Sequence, residues 1–129
     1  TPASVMTVLE SLSINVVGKN ITLVGTGSLV GKPLAIILMN EGASVTTCNS
    51  RTKNIKQKCL GADIIVTGVG KKDTLRGDMI KTGAIVIDTG ICFSNGKMYG
   101  DANRDEMIKK ASILSPTPAA SAQSLFLNY

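Results

Sequence analysis

The chain has no histidine and no tryptophan, and aromatic residues make up only 3% of its 129 positions. The lack of histidine excludes acid–base catalysis by an imidazole, and no metal site such as a zinc centre is expected. Because bulky rings are scarce, the core has to be built from aliphatic side chains, which suits a parallel sheet covered by helices. The sequence shows no apolar run long enough to cross a bilayer and no signal peptide, so no membrane partner is expected.

Cysteine is also scarce. The three cysteines, Cys48, Cys59 and Cys92, are odd in number and widely spaced, and none belongs to a CxxC pair. This pattern is typical of free thiols in a reducing compartment. The sequence therefore predicts a cytoplasmic protein, or an organellar one if a leader has been removed.

Acidic residues are fewer than basic ones, which leaves a net charge of +5 and a pI of about 9.3. A basic balance favours anionic partners, although a solvated basic surface is the simpler interpretation. No run of five basic residues and no zinc-finger spacing is present, so no nucleic acid partner is expected. A phosphorylated small molecule needs only a few of these charges.

Apolar runs alternate with amphipathic stretches along the chain. The alternation predicts strands over residues 21–24, 44–47, 63–66, 84–87 and 112–114. It predicts helices over residues 4–12, 30–40, 53–60 and 103–111, with at most one helical turn over 77–81. Residues 91–101 read as a hairpin that turns at Asn95 and Gly96. Short apolar strands separated by helices indicate parallel βαβ units and an α/β fold.

Three glycines follow the first predicted strand in the order that a phosphate-binding loop needs. Gly25 would make the tight turn, Gly27 would let the backbone approach a pyrophosphate, and Gly31 would allow close packing of helix on strand. The spacing is GxGxxxG rather than GxGxxG. A plain glycine turn at the end of a strand therefore stays an alternative.

The segment after the second predicted strand carries hydroxyls and cations but no carboxylate. Residues 47–53 read TCNSRTK, whereas NAD-specific domains usually place an acidic residue here for the ribose hydroxyls. Arginine can fork onto a phosphate and serine can donate to it, so Ser50 and Arg51 favour the 2′-phosphate of NADP. A solvated polar loop is the alternative interpretation.

Glycines also follow the third and fourth predicted strands, at positions 68, 70 and 90. Ligands of such folds bind at the carboxyl ends of the strands, so these glycines favour a ligand that lies across that edge. Left-handed turns that end strands would use glycine equally well.

Five segments carry a resemblance to a known family. Residues 24–33 read VGTGSLVGKP, 44–52 read SVTTCNSRT, 62–66 read ADIIV, 83–91 read GAIVIDTGI and 100–101 read GD. In this order, the segments resemble the motifs of the bifunctional methylenetetrahydrofolate dehydrogenase/cyclohydrolase family. The match is in register from Thr1 to about Pro118. Several motifs in order are far more specific than one glycine loop.

The resemblance implies an α/β fold of the Rossmann-like kind, a doubly wound parallel sheet in a single three-layer domain. Residues 1–129 are then an NAD(P)-binding domain, with 1–20 as a linker helix and turn and 115–129 as a divergent tail. The family's catalytic lysine and tyrosine lie in a separate N-terminal domain, which nothing in this chain matches. We therefore expect no catalytic residue here and a chain that is inactive alone. A tetrahydrofolate derivative would bind through that other domain, and a homodimer is implied.

The resemblance also implies cofactor contacts, position by position, for NADP or, as the alternative, NAD. The pyrophosphate loop is matched by Gly25, Thr26, Gly27, Leu29, Val30 and Gly31. The adenosine 2′ position is matched by Ser50, with Arg51 and Thr52 beside it. The segment under the adenosine and ribose is matched by Gly68, Val69 and Gly70, and the positions near the nicotinamide by Thr89 and Ile91.

The chain departs from the family pattern most clearly in its tail. Residues 115–123 read SPTPAASAQ where the family has a glycine-rich segment, and Thr26, Gly27, Asn49 and Cys92 also differ from the usual residues. Alanine adds a Cβ and restricts φ, so this tail is not expected to build the same closed site. A second hypothesis is therefore a degenerate stand-alone domain that binds a nucleotide or a protein partner without catalysis.

Overall fold

The five strands predicted from the alternation form one parallel sheet. The fold comes from a computed structural model, which describes residues 2–25 and 30–115. Within those residues the helices are α1 (Pro2–Ser11), α2 (Gly31–Asn40), α3 (Ile55–Leu60) and α4 (Arg104–Ile108), with a 3-10 turn at Gly77–Met79. The strands are β1 (Asn20–Val24), β2 (Ser44–Cys48), β3 (Ile64–Thr67), β4 (Ile85–Asp88), β5 (Cys92–Ser94), β6 (Lys97–Tyr99) and β7 (Ile113–Leu114).

The strand order of the sheet is β2-β1-β3-β4-β7, and all neighbouring strands are parallel. From β1 the chain moves outward to β2 at one edge, and then crosses to β3 on the other side of β1. The strand order thus reverses between β1 and β3. Open α/β sheets bind ligands at such a reversal, outside the carboxyl ends of the strands. This topology confirms the predicted Rossmann-like α/β fold.

Helices cover both faces of the sheet, so the domain has three layers. On one face Leu9 of α1 and Leu34 of α2 pack with Ile21 of β1. On the other face Met107 of α4 packs in the same cluster as Ile65 of β3. All five of these side chains are at most 1% exposed, and burying each one contributes about 1.5–3 kcal/mol. Apolar burial on both faces therefore fixes the strands whose ends form the candidate site.

The first helix belongs to this core. Val5, Val8 and Leu9 of α1 are each no more than 2% exposed. The α1 helix therefore packs as part of one face of the domain. Ser115, the first residue of the divergent tail, is buried, and the rest of that tail lies outside the described residues.

The helices α3 and α4 are clearly shorter than the sequence predicts, and the start of each has a local cause. Asn54 adopts a φ of 59°, and this left-handed conformation cannot continue a helix, so α3 begins at Ile55 instead of 53. Asn103 lies before α4 as its N-cap, and its side-chain oxygen accepts the N–H of Glu106 at 3.2 Å. The α4 helix then ends at Ile108, three residues before the predicted limit.

The predicted hairpin is confirmed as the antiparallel pair β5–β6. Its turn residues Asn95 and Gly96 have φ values of 51° and 77°, as a tight two-residue hairpin turn requires. No helix in the described part of the chain is both long enough and apolar enough to cross a membrane.

Candidate functional site

Four neighbouring strands end at one edge of the sheet, and a hydrogen-bonded row of backbone lies directly beyond them. The N–H of Gly25 donates to the carbonyl of Cys48 at 2.9 Å, and the N–H of Gly68 donates to the carbonyl of Val24 at 2.9 Å. These bonds extend the β1–β2 and β1–β3 ladders by one residue. They hold the loops after β1, β2 and β3 side by side at the reversal of strand order.

Gly25 is required by this arrangement on two grounds. Its φ of +99° lies in a region that L side chains rarely adopt. A Cβ at this position would also lie 2.8 Å from the carbonyl oxygen of Gly68 and 3.2 Å from the Val69 side chain. The backbones after β1 and β3 therefore approach more closely than a side chain at position 25 would permit.

The remainder of the predicted pyrophosphate loop is only partly described. Val30 occupies the N-cap of α2, with its carbonyl accepting the N–H of Leu34 at 2.9 Å. Gly31 is the first residue of that helix and is buried. Three further residues of the prediction lie outside the described residues: Thr26, Gly27 and Leu29.

A cleft of about 700 Å³ opens over this edge, within the size range of small-molecule sites. Its floor is apolar, with Val24 and Ile55 among the lining residues. One side is formed by the segment after β2, and we call residues 49–52 the β2 wall. The opposite side is formed by the segment after β3, and we call residues 69–74 the β3 wall. Both walls contribute polar groups to the lining.

Short-range bonds hold the β2 wall together. The N–H of Asn49 donates to the hydroxyl of Thr52 at 2.8 Å, and the N–H of Arg51 donates to the Asn49 side-chain oxygen at 2.8 Å. Ser50 lines the cleft, whereas Arg51 lies beside it, is exposed, and is not among the lining residues. Beneath them, Cys48 is fully buried, and this burial raises the pKa of its thiol although Lys58 opposes the shift.

The β3 wall has a distant anchor. The carboxylate of Asp101 accepts the N–H of Val69 at 2.7 Å through Oδ2. Its Oδ1 accepts the N–H of Gly70 at 2.8 Å and that of Lys71 at 2.9 Å. Asp101 is itself 0% exposed. Three consecutive amides of the wall are therefore bound to one buried carboxylate from the segment after β6.

A second buried carboxylate, Asp88 at the end of β4, holds that segment in place. Its Oδ1 accepts the N–H of Gly90 at 3.0 Å and that of Asp101 at 3.1 Å, and its Oδ2 accepts the N–H of Ala102 at 2.9 Å. Burial raises the pKa of Asp88, and the neighbouring Asp101 charge adds to the rise while the backbone donors oppose it.

Two glycines make this close packing of carboxylates and backbone feasible. A Cβ at Gly90 would overlap the Asp101 carboxylate, and a Cβ at Gly100 would overlap that of Asp88. The sequence pattern marks Gly90 only as a strand-end glycine and predicts no role for either aspartate. The GD pair at positions 100–101 was the available signal.

The residues predicted near the nicotinamide lie next to the β3 wall, outside the cleft lining. The Thr89 hydroxyl donates to the Thr67 carbonyl at 2.7 Å. A Cβ at Gly68 would lie 2.9 Å from this hydroxyl, and one at Gly70 would lie 3.3 Å from the Ile91 carbonyl. Gly68, Gly70, Thr89 and Ile91 are thus brought together at the ends of β3 and β4.

The sequence prediction missed three cations that line the cleft, Lys71, Lys72 and Arg76. All three fall in residues 70–76, which read GKKDTLR directly after a strand-end glycine. The loops after parallel strands all lie at the carboxyl ends of the strands. The density of positive charge in this segment could therefore have indicated that it contributes to the ligand site. Asp73 also lines the cleft, so the three cations leave a net positive charge. Together with the apolar floor and the close approach of Gly25 to Gly68, which we call the glycine cradle, this charge fits a dinucleotide with its phosphates.

Comparison with known proteins gives a consistent result. The family model for the tetrahydrofolate dehydrogenase/cyclohydrolase NAD(P)-binding domain matches residues 1–122. The bifunctional protein FolD of Clostridium botulinum is 47% identical over 118 residues, which are 92% of this chain and 42% of that protein. FolD of Fusobacterium nucleatum is 43% identical over the same coverage. The chain thus spans about 42% of the length of these curated relatives.

Solved structures agree. The methylenetetrahydrofolate dehydrogenase/cyclohydrolase of Campylobacter jejuni superposes with a TM-score of 0.88 at 38% identity, covering 92% of this chain and 42% of that one. The enzyme of Trypanosoma brucei, whose structure contains the NADP cofactor and an inhibitor, superposes with a TM-score of 0.84 at 32% identity. That match covers 92% of this chain and 43% of the other.

Proposed function

The chain belongs to the tetrahydrofolate dehydrogenase/cyclohydrolase NAD(P)-binding domain family, and on that premise we propose that it is the NADP-binding half of a methylenetetrahydrofolate dehydrogenase/cyclohydrolase. The observation that carries the proposal is the glycine cradle at Gly25 and Gly68 beside a cleft lined by cations. A bound cofactor would supply a nicotinamide ring that exchanges hydride with the folate. This chain's own residues would bind and orient it.

The proposed contacts follow the geometry of the sheet edge. The pyrophosphate would lie over Gly25 at the start of α2, where the N-terminal end of a helix favours negative charge. The adenosine would lie in the cleft between the β2 wall and Val69. The ribose would lie over Gly68 and Gly70, and the nicotinamide would reach toward Thr89 and Ile91. No catalytic residue is assigned to this chain.

NADP is proposed over NAD because the β2 wall contains no carboxylate. Ser50 faces the cleft and can donate to a phosphate. Arg51 is exposed beside it and can turn a guanidinium toward the same group. A carboxylate at either position would repel a 2′-phosphate, whereas the present residues attract it.

The folate substrate, the cyclohydrolase activity and the homodimer are proposed from family membership. The tetrahydrofolate derivative would bind a separate domain, and this chain alone would bind cofactor without turning over substrate. A cytoplasmic location is proposed because all three cysteines are free thiols.

The test is a calorimetric titration of the 129-residue chain with NADP and then with NAD. We expect NADP to bind about tenfold more tightly, as one charge-assisted contact to the 2′-phosphate would give. Equal affinities would remove the preference for NADP. Failure of both cofactors to bind at millimolar concentration would favour the second candidate, a degenerate domain that binds a protein partner, which the glycine-poor tail supports.

A further inference from the structure

The bonds from its three amides to Asp101 are not the only contacts between the β3 wall and the segment after β6. The N–H of Leu75 donates to the Asp101 carbonyl at 3.2 Å, and the N–H of Asn103 donates to the Leu75 carbonyl at 2.8 Å. The Lys72 ammonium lies 4.1 Å from the centroid of the Tyr99 ring, close enough for a cation–π contact. Residues 99–103 therefore run beside residues 69–75 and support them along their length.

From this arrangement we infer that Asp101 is a positioning residue, which fixes the β3 wall and so sets the affinity for cofactor without setting the choice between NADP and NAD. The inference rests on the proposed function, since it assumes that the cofactor lies in the cleft. Val69 and Lys71 line that cleft, and their amides are two of the three that Asp101 holds.

A carboxylate is the group that suits this position. Oδ1 and Oδ2 together accept three N–H groups, and an ionised acceptor makes each bond stronger than a neutral one does. An asparagine amide offers one acceptor oxygen and turns an NH₂ toward the remaining N–H. Asp101→Asn would therefore leave at least one of the three partly buried N–H donors without a partner, and the wall would shift.

The choice between cofactors depends on the other wall. Ser50 and Arg51 are positioned by bonds within residues 49–52, and none of these bonds involves Asp101. A displaced β3 wall would therefore weaken NADP and NAD binding by the same factor. Equal weakening distinguishes positioning of the shared adenosine site from recognition of the 2′-phosphate.

The experiment measures the affinities of the wild-type chain, Asp101→Asn and Asp105→Asn for NADP and for NAD. Asp105 is exposed in the first turn of α4 and serves as the matched control for loss of one negative charge. We expect Asp101→Asn to bind both cofactors about tenfold more weakly with an unchanged ratio, and Asp105→Asn to bind as the wild type does. Unchanged affinity in Asp101→Asn, or a changed ratio, would overturn the inference.

Amide hydrogen exchange without cofactor makes the result independent of the proposed function. In Asp101→Asn the amides of residues 69–71 should exchange at least about tenfold faster, while those of β1 and β3 stay protected. If the wild-type chain binds neither cofactor, the proposed function fails, and this exchange alone decides whether Asp101 holds the wall. Unchanged exchange at residues 69–71 would refute the positioning role.

A second variant covers the case in which Asp101→Asn does not fold. Tyr99→Leu removes the ring beneath Lys72 and keeps an apolar side chain on β6. We expect it to weaken both cofactors about two- to threefold with an unchanged ratio, as the loss of one exposed cation–π contact would. Wild-type affinity in Tyr99→Leu together with an unfolded Asp101→Asn would count against support of the wall by residues 99–101.

Discussion

The two walls of the cleft are built by different means. Bonds in the β2 wall join residues two or three positions apart, as between Asn49 and Thr52. Bonds in the β3 wall join Asp101 to residues 30–32 positions away. The side chains of Ser50 and Arg51 take no part in the local bonds, so they can change without disturbing the fold. The β3 wall, in contrast, depends on a distant partner. The β2 wall, which is proposed to choose the cofactor, is thus expected to tolerate substitutions. The β3 wall, which is proposed to shape the site, is fixed by the fold around it.

The largest effect is expected where the support of the β3 wall is most crowded. In Gly100→Ala the new methyl would overlap the Asp88 carboxylate. We expect the free energy of unfolding to fall by about 3 kcal/mol, the upper range for overpacking a core. Denaturant unfolding followed by far-UV circular dichroism measures this loss.

Gly61→Ala is the matched control for that substitution. Gly61 has a φ of −83°, and the atom nearest to an added Cβ would be the Gln57 carbonyl oxygen at 3.9 Å. We expect its free energy of unfolding to change by less than about 1 kcal/mol. An equal fall in the free energy of unfolding in both variants would show that overlap with Asp88 is not the cause of the loss of stability.

A second prediction reverses the charge of Arg51 in the β2 wall. Arg51→Asp should lower the affinity for NADP at least about tenfold and leave that for NAD near its wild-type value. The free energy of unfolding should change by no more than about 0.5 kcal/mol, because the side chain is exposed and its main-chain bonds remain. Paired titrations with both cofactors measure the preference.

Lys53→Asp is the control, since Lys53 is exposed and does not line the cleft. It makes the same change of charge sign two residues further on. A similar loss of NADP preference in Lys53→Asp would point to general electrostatics instead of a contact by Arg51, and so would equal sensitivity of both variants to salt.

A third prediction concerns Asp88, the carboxylate that holds the segment supporting the β3 wall. The Thr67 hydroxyl is buried and donates to Asp88 Oδ1 at 3.1 Å. Thr67→Val keeps the shape and removes this donor, and should cost about 1 kcal/mol in the free energy of unfolding at neutral pH. Guanidinium titrations at several pH values measure it.

The pH dependence of Thr67→Val depends on the raised pKa of Asp88. A carboxyl group whose pKa is raised by folding stabilises the folded state when it is protonated. This stabilisation is complete at pH values below the pKa of the unfolded state, and it is lost as the pH rises through the pKa of the folded state. Loss of a donor to the ionised form raises that pKa further. The free energy of unfolding should therefore fall more steeply in Thr67→Val than in wild type as the pH rises above about 4, the ordinary pKa of an aspartate. Parallel curves would mean that Thr67 does not interact with the charged form.

The smallest effect is expected at the amino ends of the strands, on the side of the sheet that lies away from both walls. Asp63 accepts a hydrogen bond from the Lys81 ammonium at 2.5 Å and another from the Asn20 N–H, and these bonds lower its pKa. Its contribution to stability is present above the unfolded pKa and is lost as the pH falls through the folded pKa. Lys81→Met should cost less than about 1 kcal/mol above about pH 4, because both side chains are partly exposed.

Salt is the control for the Lys81 prediction. About 1 M sodium chloride should remove most of the difference between Lys81→Met and wild type, since exposed ion pairs are screened at that ionic strength. It should leave the Thr67→Val difference largely intact, because the Asp88 network is buried. A salt-resistant Lys81 effect would show that the methylene stem of Lys81, and not its charge, supplies the stability.

The sequence predicted most of the fold because its signals are local. Strands of four or five mostly apolar residues, the glycines that end them, and the turn at Asn95 and Gly96 all lie within short windows. The cofactor expectation depended on motifs of the same kind. Family resemblance then gave the NAD(P)-binding role that the comparisons support.

The support of the β3 wall could not be predicted in this way. Asp101 and Val69 are separated by 32 positions, and no periodicity marks a bond between a carboxylate and backbone amides. In the sequence, an aspartate after a glycine is typical of an exposed turn. Only the packing of the segment after β6 against the end of β3 turns Asp101 into an internal acceptor with 0% exposure.

The same carboxylate determines which parts of the backbone remain available to a ligand. Successive amides that converge on one point form a nest, a common means of holding a phosphate. At residues 69–71 the nest is already filled by the protein's own anion, Asp101. Those amides cannot recognise the charge of a bound molecule. The β3 wall therefore offers a ligand only its shape and its side chains, and none of the amides of residues 69–71 is left to hold a phosphate.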